Sequence, residues 1–263
     1  MVAAFGDVHR VPLPGFRQVF DDVASAAVAA GVVPIENSVH GTVRENYDLL
    51  LEHDLEIRAE VVVPIWLCLA ALPGQRLDEI ERVYSHIQAL GQAEAFLRRR
   101  PWALMTTYNT AGAGRLIADG GERNAAAVLS LRAARLFGLE VLADGIQDVA
   151  DNRTRFLVVA RPGSAIPHLV GRDADDPMRT TLVVAVRNEP GALLRVLRVF
   201  ADHGLNMSTL ESRPSRERAW EYVFWVDLDA DLARPATRAA LADLGAVTTM
   251  LKVLGSYPHA AQS

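Results

Sequence analysis

The sequence predicts an α/β protein in two parts, a longer region over residues 1–160 and a smaller one over residues 179–258. Three observations predict it. Short β-branched apolar runs recur along the longer region, stretches of helical spacing separate them, and residues 161–178 are dense in turn formers and acidic side chains, as a linker should be. Repeated alternation of strand and helix predicts a mostly parallel sheet covered by helices.

In chain order, strands are expected at Gly31–Ile35, Glu60–Leu72, Arg82–Ser85, Ala103–Thr106, Glu140–Ala143 and Arg155–Val159. Glu60–Leu72 is long for one strand and reads as a strand entering a connector between two lobes. Helices are expected at Phe20–Ala30, Gln88–Arg98, Thr110–Ala118 and Ala125–Phe137. After the linker, Thr181–Val186 is a strand and Gly191–His203 a helix with Leu194, Leu197 and Phe200 on one face, ended by Gly204. Strands Asn206–Ser212 and Trp220–Asp227 flank the polar turn Arg213–Ala219, and Thr237–Leu244 and Val247–Leu254 complete the unit as helix and strand. The order β-α-β-β-α-β is the ferredoxin-like arrangement. Such a unit leaves one sheet face to be covered, and the aromatic residues on both faces of its third strand point to a partner subunit for part of that cover.

Composition narrows the function classes. The chain has 263 residues, half of them hydrophobic and 22% charged, which is ordinary globular composition and excludes extended disorder. A net charge of −5 leaves no basic footprint for nucleic acid. Lys252 is the only lysine, so arginine is the available partner for carboxylates. Cys68 is the single cysteine, which excludes a disulfide or a thiolate metal cluster within one chain. The longest apolar run, Val61–Leu72, falls short of the roughly 18–20 residues that span a bilayer and contains Pro64. With no secretory signal at the amino end, a cytoplasmic location and no membrane partner are the default expectations.

Four polar clusters sit at strand ends: Glu36-Asn37-Ser38, Ser85-His86-Ile87-Gln88, Asn109-Thr110 and Asp151-Asn152-Arg153-Thr154-Arg155. Hydroxyls, amides and helix amino ends gathered there suit a carboxylate-bearing ligand. No nucleophilic triad, paired carboxylates, Walker loop, dinucleotide fingerprint or metal-ligand spacing accompanies them, so the expected chemistry is general-acid and electrostatic, without cofactor or metal.

These clusters resemble the prephenate dehydratase family. Pro-Ile-Glu-Asn-Ser at 34–38, Tyr-Asp-Leu-Leu at 47–50, Ser-His-Ile-Gln-Ala-Leu at 85–90 and Asn-Arg-Thr-Arg-Phe at 152–156 carry the likeness in order and spacing. Asn188-Glu189-Pro190-Gly191-Ala192-Leu193 and Glu211-Ser212-Arg213-Pro214 are similar to the two motifs of the phenylalanine-binding ACT domain attached to that enzyme. The resemblance implies a two-lobed region like a periplasmic binding protein, with lobes at about 1–70 plus 150–160 and at 71–149, followed by the linker and the ACT domain. It also implies conversion of prephenate to phenylpyruvate under feedback by L-phenylalanine, in a homodimer or dimer of dimers. A catalytically weak phenylalanine-binding homologue and an arogenate dehydratase are the alternatives. Ile87 departs from the family's usual proline, and Tyr108-Asn109 from its usual small or acidic residue. Relatives begin with an apolar strand and a glycine loop that this chain is expected to lack, which should lower turnover.

The resemblance makes Thr154 the donor to the departing hydroxyl; the plain alternative is a β-former opening a strand. Arg155 would hold a substrate carboxylate or brace the cleft, and Asn37 and Ser38 would donate to substrate or form an ordinary turn. Ser85 and Thr110 read equally as helix caps or ligand contacts, His86 and Gln88 as binding residues, and Asn109 as a neighbour of substrate. In the regulatory unit, Pro190 and Gly191 would open a helix, continued by Ala192 and Leu193, whose unpaired amides receive the ligand carboxylate, and Asn188 and Asn206 would serve its amino group. Glu211, Ser212, Arg213 and Pro214 would end the adjacent strand and brace an interface.

Overall fold

A computed structural model describes residues 2–170, 176–214 and 222–259. In chain order the elements are α1 (Val2–Phe5), α2 (Phe16–Ala24), β1 (Gly31–Asn37), β2 (Gly41–Thr42), α3 (Arg44–Glu52) and β3 (Glu56–Pro64). There follow β4 (Cys68–Ala71), β5 (Arg82–Ser85), α4 (Ile87–Gln92), α5 (Glu94–Leu97), β6 (Ala103–Thr106) and α6 (Thr110–Gly120). Next come β7 (Ala125–Leu129), α7 (Leu131–Leu136), β8 (Glu140–Asp144) and β9 (Arg153–Ala160). The chain ends with β10 (Met178–Ala185), α8 (Ala192–Asp202), β11 (Met207–Pro214), β12 (Tyr222–Leu228), α9 (Pro235–Val247) and β13 (Met250–Pro258). It forms two compact units, the first from residues 1–37, 41–63 and 155–263 and the second from residues 38–40 and 64–154.

The first unit holds two four-stranded sheets, β2-β1-β9-β3 and β11-β12-β10-β13. Val33 and Ile35 of β1 point inward at alternate positions, as a strand with one buried face requires. The second sheet is antiparallel, and α8 and α9 cover one face, packing Phe200 and Leu244 with Leu182, Val184 and Val226. Its other face, carrying Val183, Val223, Trp225 and Tyr257, joins one core with Val33, Ile35, Tyr47, Leu50, Ile57 and Leu157. The chain's own first lobe thus covers this face. Trp225 meets Tyr47 edge-on at 4.8 Å, the preferred geometry for aromatic pairs. Backbone approach is closest at Gly255, where an added Cβ would lie 2.2 Å from the Ile57 carbonyl oxygen, so no larger residue fits without displacing a strand.

The second unit is a five-stranded sheet, β6-β5-β7-β4-β8. β5 runs parallel to β6 and β7, whereas β4 is antiparallel to both β7 and β8, so the sheet is mixed where a mostly parallel one was expected. Residues 125–137, expected as one helix, divide into strand β7, Ser130 and helix α7. The reason is burial on both sides. Ala126 and Val128 pack into one apolar layer and Ala125, Ala127 and Leu129 into the other, so no alternation marks the strand. The expected helix Gln88–Arg98 breaks at Ala93, and Glu60–Leu72 divides into the end of β3 and all of β4. Parts of the expected turn Arg213–Ala219, of the strand Trp220–Asp227 and of the linker lie outside the described residues. Among the described residues no helix is long and apolar enough to cross a membrane, and no cluster of side chains suits a metal.

Candidate active site

In the second unit, three parallel strands end side by side and each feeds a helix through a capped junction. β5 leads to His86, whose Nδ1 accepts from the Gln88 amide at 3.3 Å; β6 leads to Asn109, whose Oδ1 accepts from Gly112 at 2.5 Å; β7 leads to Ser130, whose Oγ accepts from Ala133 at 3.2 Å. The pairing of Ser85 with Thr106 sets the first two junctions on neighbouring strands. The caps therefore fall one residue from those expected. Ser85 is fully buried and donates to the Val128 carbonyl at 2.7 Å, and Thr110 is the first helical residue. Position explains the shift, since a cap must lie outside the strand with extended backbone, as His86 and Asn109 do. With Nδ1 accepting, a neutral His86 carries its proton on Nε2 and presents a donor. Gln88 opens α4 beside the exposed Ile87.

The ring of Tyr108 lies over α6, where an added Cβ on Gly112 would stand 2.5 Å from it, so this glycine makes room for the aromatic side chain. Ser130 is not among the residues expected from the sequence, because the alanines before it carry no strand alternation. The signal was there in a serine followed by an apolar helical repeat.

Thr154 is 9% exposed and follows Asn152, which is 1% exposed, so the motif enters β9 as a buried segment. Ser38 fastens it. The Ser38 amide donates to the Arg153 carbonyl at 2.9 Å, its Oγ accepts from the Arg153 amide at 2.9 Å, and the hydroxyl donates to Asp151 at 3.3 Å. The Ile65 amide donates to the Asn152 carbonyl at 2.7 Å from the other side. Ser38 is thus spent on holding the residues next to Thr154. Asn37 ends β1, where it pairs with Gly41 of β2.

Arg155 belongs to the first unit, and its guanidinium is engaged by the chain's own carboxylates. Its Nη2 donates to Asp227 at 2.5 Å, Nε lies 2.8 Å from Glu60, and Nη1 stands 3.9 Å from Glu36. Arg179 bridges Glu60 at 2.7 Å and Asp229 at 3.2 Å, while Thr181 donates to Asp227 at 2.6 Å. Burial works against the charge on Arg155, but Asp227 and Glu60 outweigh it and hold the guanidinium above its ordinary pKa. Of the two roles expected for Arg155, this geometry is that of a brace. Burial pushes the Tyr257 and Tyr47 hydroxyls up, so both stay neutral beside the network.

In the regulatory sheet, Gly191 caps α8 with φ +79°, a left-handed conformation that a glycine adopts without strain, and Asn188 and Pro190 are exposed beside it. Ala192 is buried in the core under α8 with its amide donating to the Glu189 carbonyl at 3.2 Å, and Leu193 is half-buried. Asn206 donates to Asp229 at 2.7 Å, which occupies its amide nitrogen. Burial raises the Asp229 pKa, but bonds from Ser208, Asn206 and Arg179 bring it below the usual carboxylate range. Glu211, Ser212, Arg213 and Pro214 lie on the edge strand β11, paired in turn with Trp225, Phe224, Val223 and Tyr222. A separate cavity of about 560 Å³ lies among Phe5, Val11, Leu13, Phe16, Val28 and Val32, and none of the site residues lines it.

Comparison with known proteins shows the prephenate dehydratase family over residues 1–164 and an ACT domain over residues 180–246. The chain belongs to the prephenate dehydratase family. Arogenate dehydratase 5 of Arabidopsis thaliana is 40% identical over 97% of this chain, and the match spans 63% of that relative's own length. The prephenate dehydratase of Arthrobacter aurescens, solved in complex with L-Phe, superposes with a TM-score of 0.84 at 32% identity, covering 97% of this chain and 82% of that one. GqqA, described as a novel type of quorum quenching acylase, superposes with a TM-score of 0.84 at 29% identity, covering 95% of this chain and 89% of that one. The α/β region followed by a ferredoxin-like ACT domain is the architecture of this family, which acts in aromatic amino-acid biosynthesis.

Proposed function

We propose that the chain removes water and carbon dioxide from a cyclohexadienol dicarboxylate, prephenate or arogenate, and that free phenylalanine regulates it. The observation that carries this reading is the family match over residues 1–164, whose Asn152–Phe156 motif enters β9 as a buried, tethered segment. In the reaction, the carbon–carbon bond to the ring carboxylate breaks and its electron pair enters the ring. The ring hydroxyl leaves as water with one added proton, and the ring becomes aromatic. The protein must supply a hydrogen bond or proton to that hydroxyl and donors to two carboxylates. Thr154 takes the first role, because a hydroxyl in a desolvated segment is oriented without competition from water. The junctions at His86, Asn109 and Ser130 take the second, with backbone amides and the His86 Nε2–H as donors.

Arogenate differs from prephenate by an amino group in place of a keto group. The identity with an arogenate dehydratase along nearly the whole chain favours arogenate as a substrate, and the likeness to a prephenate dehydratase favours prephenate. The purified chain should be given each in turn, with phenylpyruvate read by absorbance in base and phenylalanine by chromatography. Faster release than in buffer supports the reading and the ratio of kcat/KM assigns the substrate; buffer rates with both defeat it. The likeness to GqqA makes an acyl amide the control substrate. Calorimetry with L-phenylalanine tests the regulatory site, and sedimentation tests the dimer or dimer of dimers that pairing of ACT sheets would form.

A further inference from the structure

The sheet β11-β12-β10-β13 is fastened to the first lobe unevenly. The core that it shares with β1, α3 and β9 takes Val183 from β10, Val223 and Trp225 from β12, and Leu254 and Tyr257 from β13, and among the described residues it takes none from β11. Polar contacts repeat the pattern. Asp227 of β12 holds Arg155, Arg179 of β10 holds Glu60, and Lys252 of β13 donates to the carbonyls of Leu50, Leu51 and His53 at 3.3, 3.4 and 3.1 Å, closing the carboxyl end of α3. Three strands are anchored by buried apolar packing as well as charge. The edge strand β11, which carries Glu211–Pro214, lines a small gap beside Ile35, Tyr47 and Leu157 with Thr209 and has an ion pair to the lobe through Arg213. Its Nη2 meets both oxygens of Asp48 on α3 at 3.0 Å, with side-chain exposures of only 14% and 15%.

The far side of that contact leads to the end of β1. Asp48 lies two residues after Asn46, a fully buried side chain whose Nδ2 donates to the Pro34 carbonyl at 2.6 Å. That bond joins α3 to β1 three residues before Asn37. The Val43 amide, at the start of α3, donates to the Ile35 carbonyl at 2.8 Å. Two hydrogen bonds thus tie the start of α3 to the strand end that holds Glu36 and Asn37. At the near side, the Arg213 Nε is buried and has no hydrogen-bond partner among the described residues. An unsatisfied buried donor is costly, so an added acceptor that satisfies it is favoured.

We propose that the Arg213–Asp48 pair couples the regulatory strand to the catalytic lobe, with the carboxylate of a bound amino acid competing with Asp48 for the guanidinium. This rests on the regulatory reading above. Competition supplies what coupling requires, a ligand whose affinity differs between the paired and unpaired states. Because α3 is held at its carboxyl end by Lys252 and at its first turns by Asn46, loss of the Asp48 tether changes the load between two fixed points.

Asp48→Asn keeps the shape of the side chain and removes its charge. In the wild type, phenylalanine binding by calorimetry and its effect on kcat/KM are measured together. In Asp48→Asn the expected results are basal kcat/KM within about twofold, phenylalanine bound about fivefold more tightly because Arg213 is released, and a turnover response to saturating phenylalanine reduced at least fivefold. An unchanged response in the variant overturns the pair while leaving regulation intact, and loss of binding in the variant overturns it by making Asp48 part of the ligand site. A wild type that binds no phenylalanine overturns the regulatory reading, and the proposal with it. Hydrogen exchange on the wild type keeps the test independent of the variant's folding. Phenylalanine should alter protection of the α3 amides as well as those of β11, and a change confined to β11 defeats the proposal.

Discussion

Replacing Arg155 with methionine should unfold the first unit far more easily than any surface charge substitution. The side chains of Glu60, Asp227 and Arg179 are 3%, 5% and 5% exposed, and Arg155 is 13% exposed. The two guanidinium groups and the two buried carboxylates balance. Without Arg155, Arg179 is left to serve both carboxylates, and it already bridges Glu60 and Asp229. Removing one member of a buried ion pair costs about 3–5 kcal/mol, since the remaining charge is neither solvated nor paired. For a chain of this size that corresponds to a fall in Tm of about 6–20 °C. Urea unfolding followed by Trp225 and other tryptophan fluorescence measures the loss, with thermal melting as a check. Arg155→Met combined with Asp227→Asn removes one charge of each sign and should be less destabilised than the sum of the single variants, by at least about 1 kcal/mol. A loss below about 1 kcal/mol for Arg155→Met, the range of exposed pairs, would refute the view of this cluster as a buried brace.

Four further outcomes are expected. Thr154→Val should lower kcat by about a hundredfold to a thousandfold with KM little changed, the cost of one well-placed donor to the transition state, while Thr154→Ser retains most activity; steady-state kinetics decide. Gly191→Val forces a β-branched residue to φ +79° and should weaken phenylalanine binding at least tenfold in calorimetry without changing basal kcat/KM. Gly255→Ala, with its Cβ driven against Ile57, should lose about 1–3 kcal/mol or more in urea unfolding. Burial pushes the Cys68 thiol up to about 11 from its ordinary 9.0, with Asp144 adding to the rise. The folded state therefore favours the neutral thiol: its contribution is complete below pH 9 and drains as pH rises toward 11, by about 1.4 kcal/mol per unit. Comparing wild type with Cys68→Ala across pH 8–11 measures it, and native Cys68 should not react with a thiol reagent at pH 8.

Sequence alone determined the ACT sheet almost completely. Its helices carry single apolar stripes such as Val196 and Phe200 in α8, so local periodicity records burial. The motifs of the candidate site were legible for a related reason, since polar residues at Asn37, His86, Asn109 and Thr154 interrupt apolar runs where strands end. Tertiary structure alone decided β7, whose alanines are buried on both faces and carry no period, and with it the Ser130 junction. It also decided the fate of the charges. A spacing of residues shows that Arg155 follows Thr154, but only packing brings Glu60, Arg179 and Asp227 to it from three other strands, and Arg213 to Asp48 across 165 positions. Periodicity is a property of neighbours along the chain, whereas an ion pair between distant residues exists only after the core has closed and desolvated both partners.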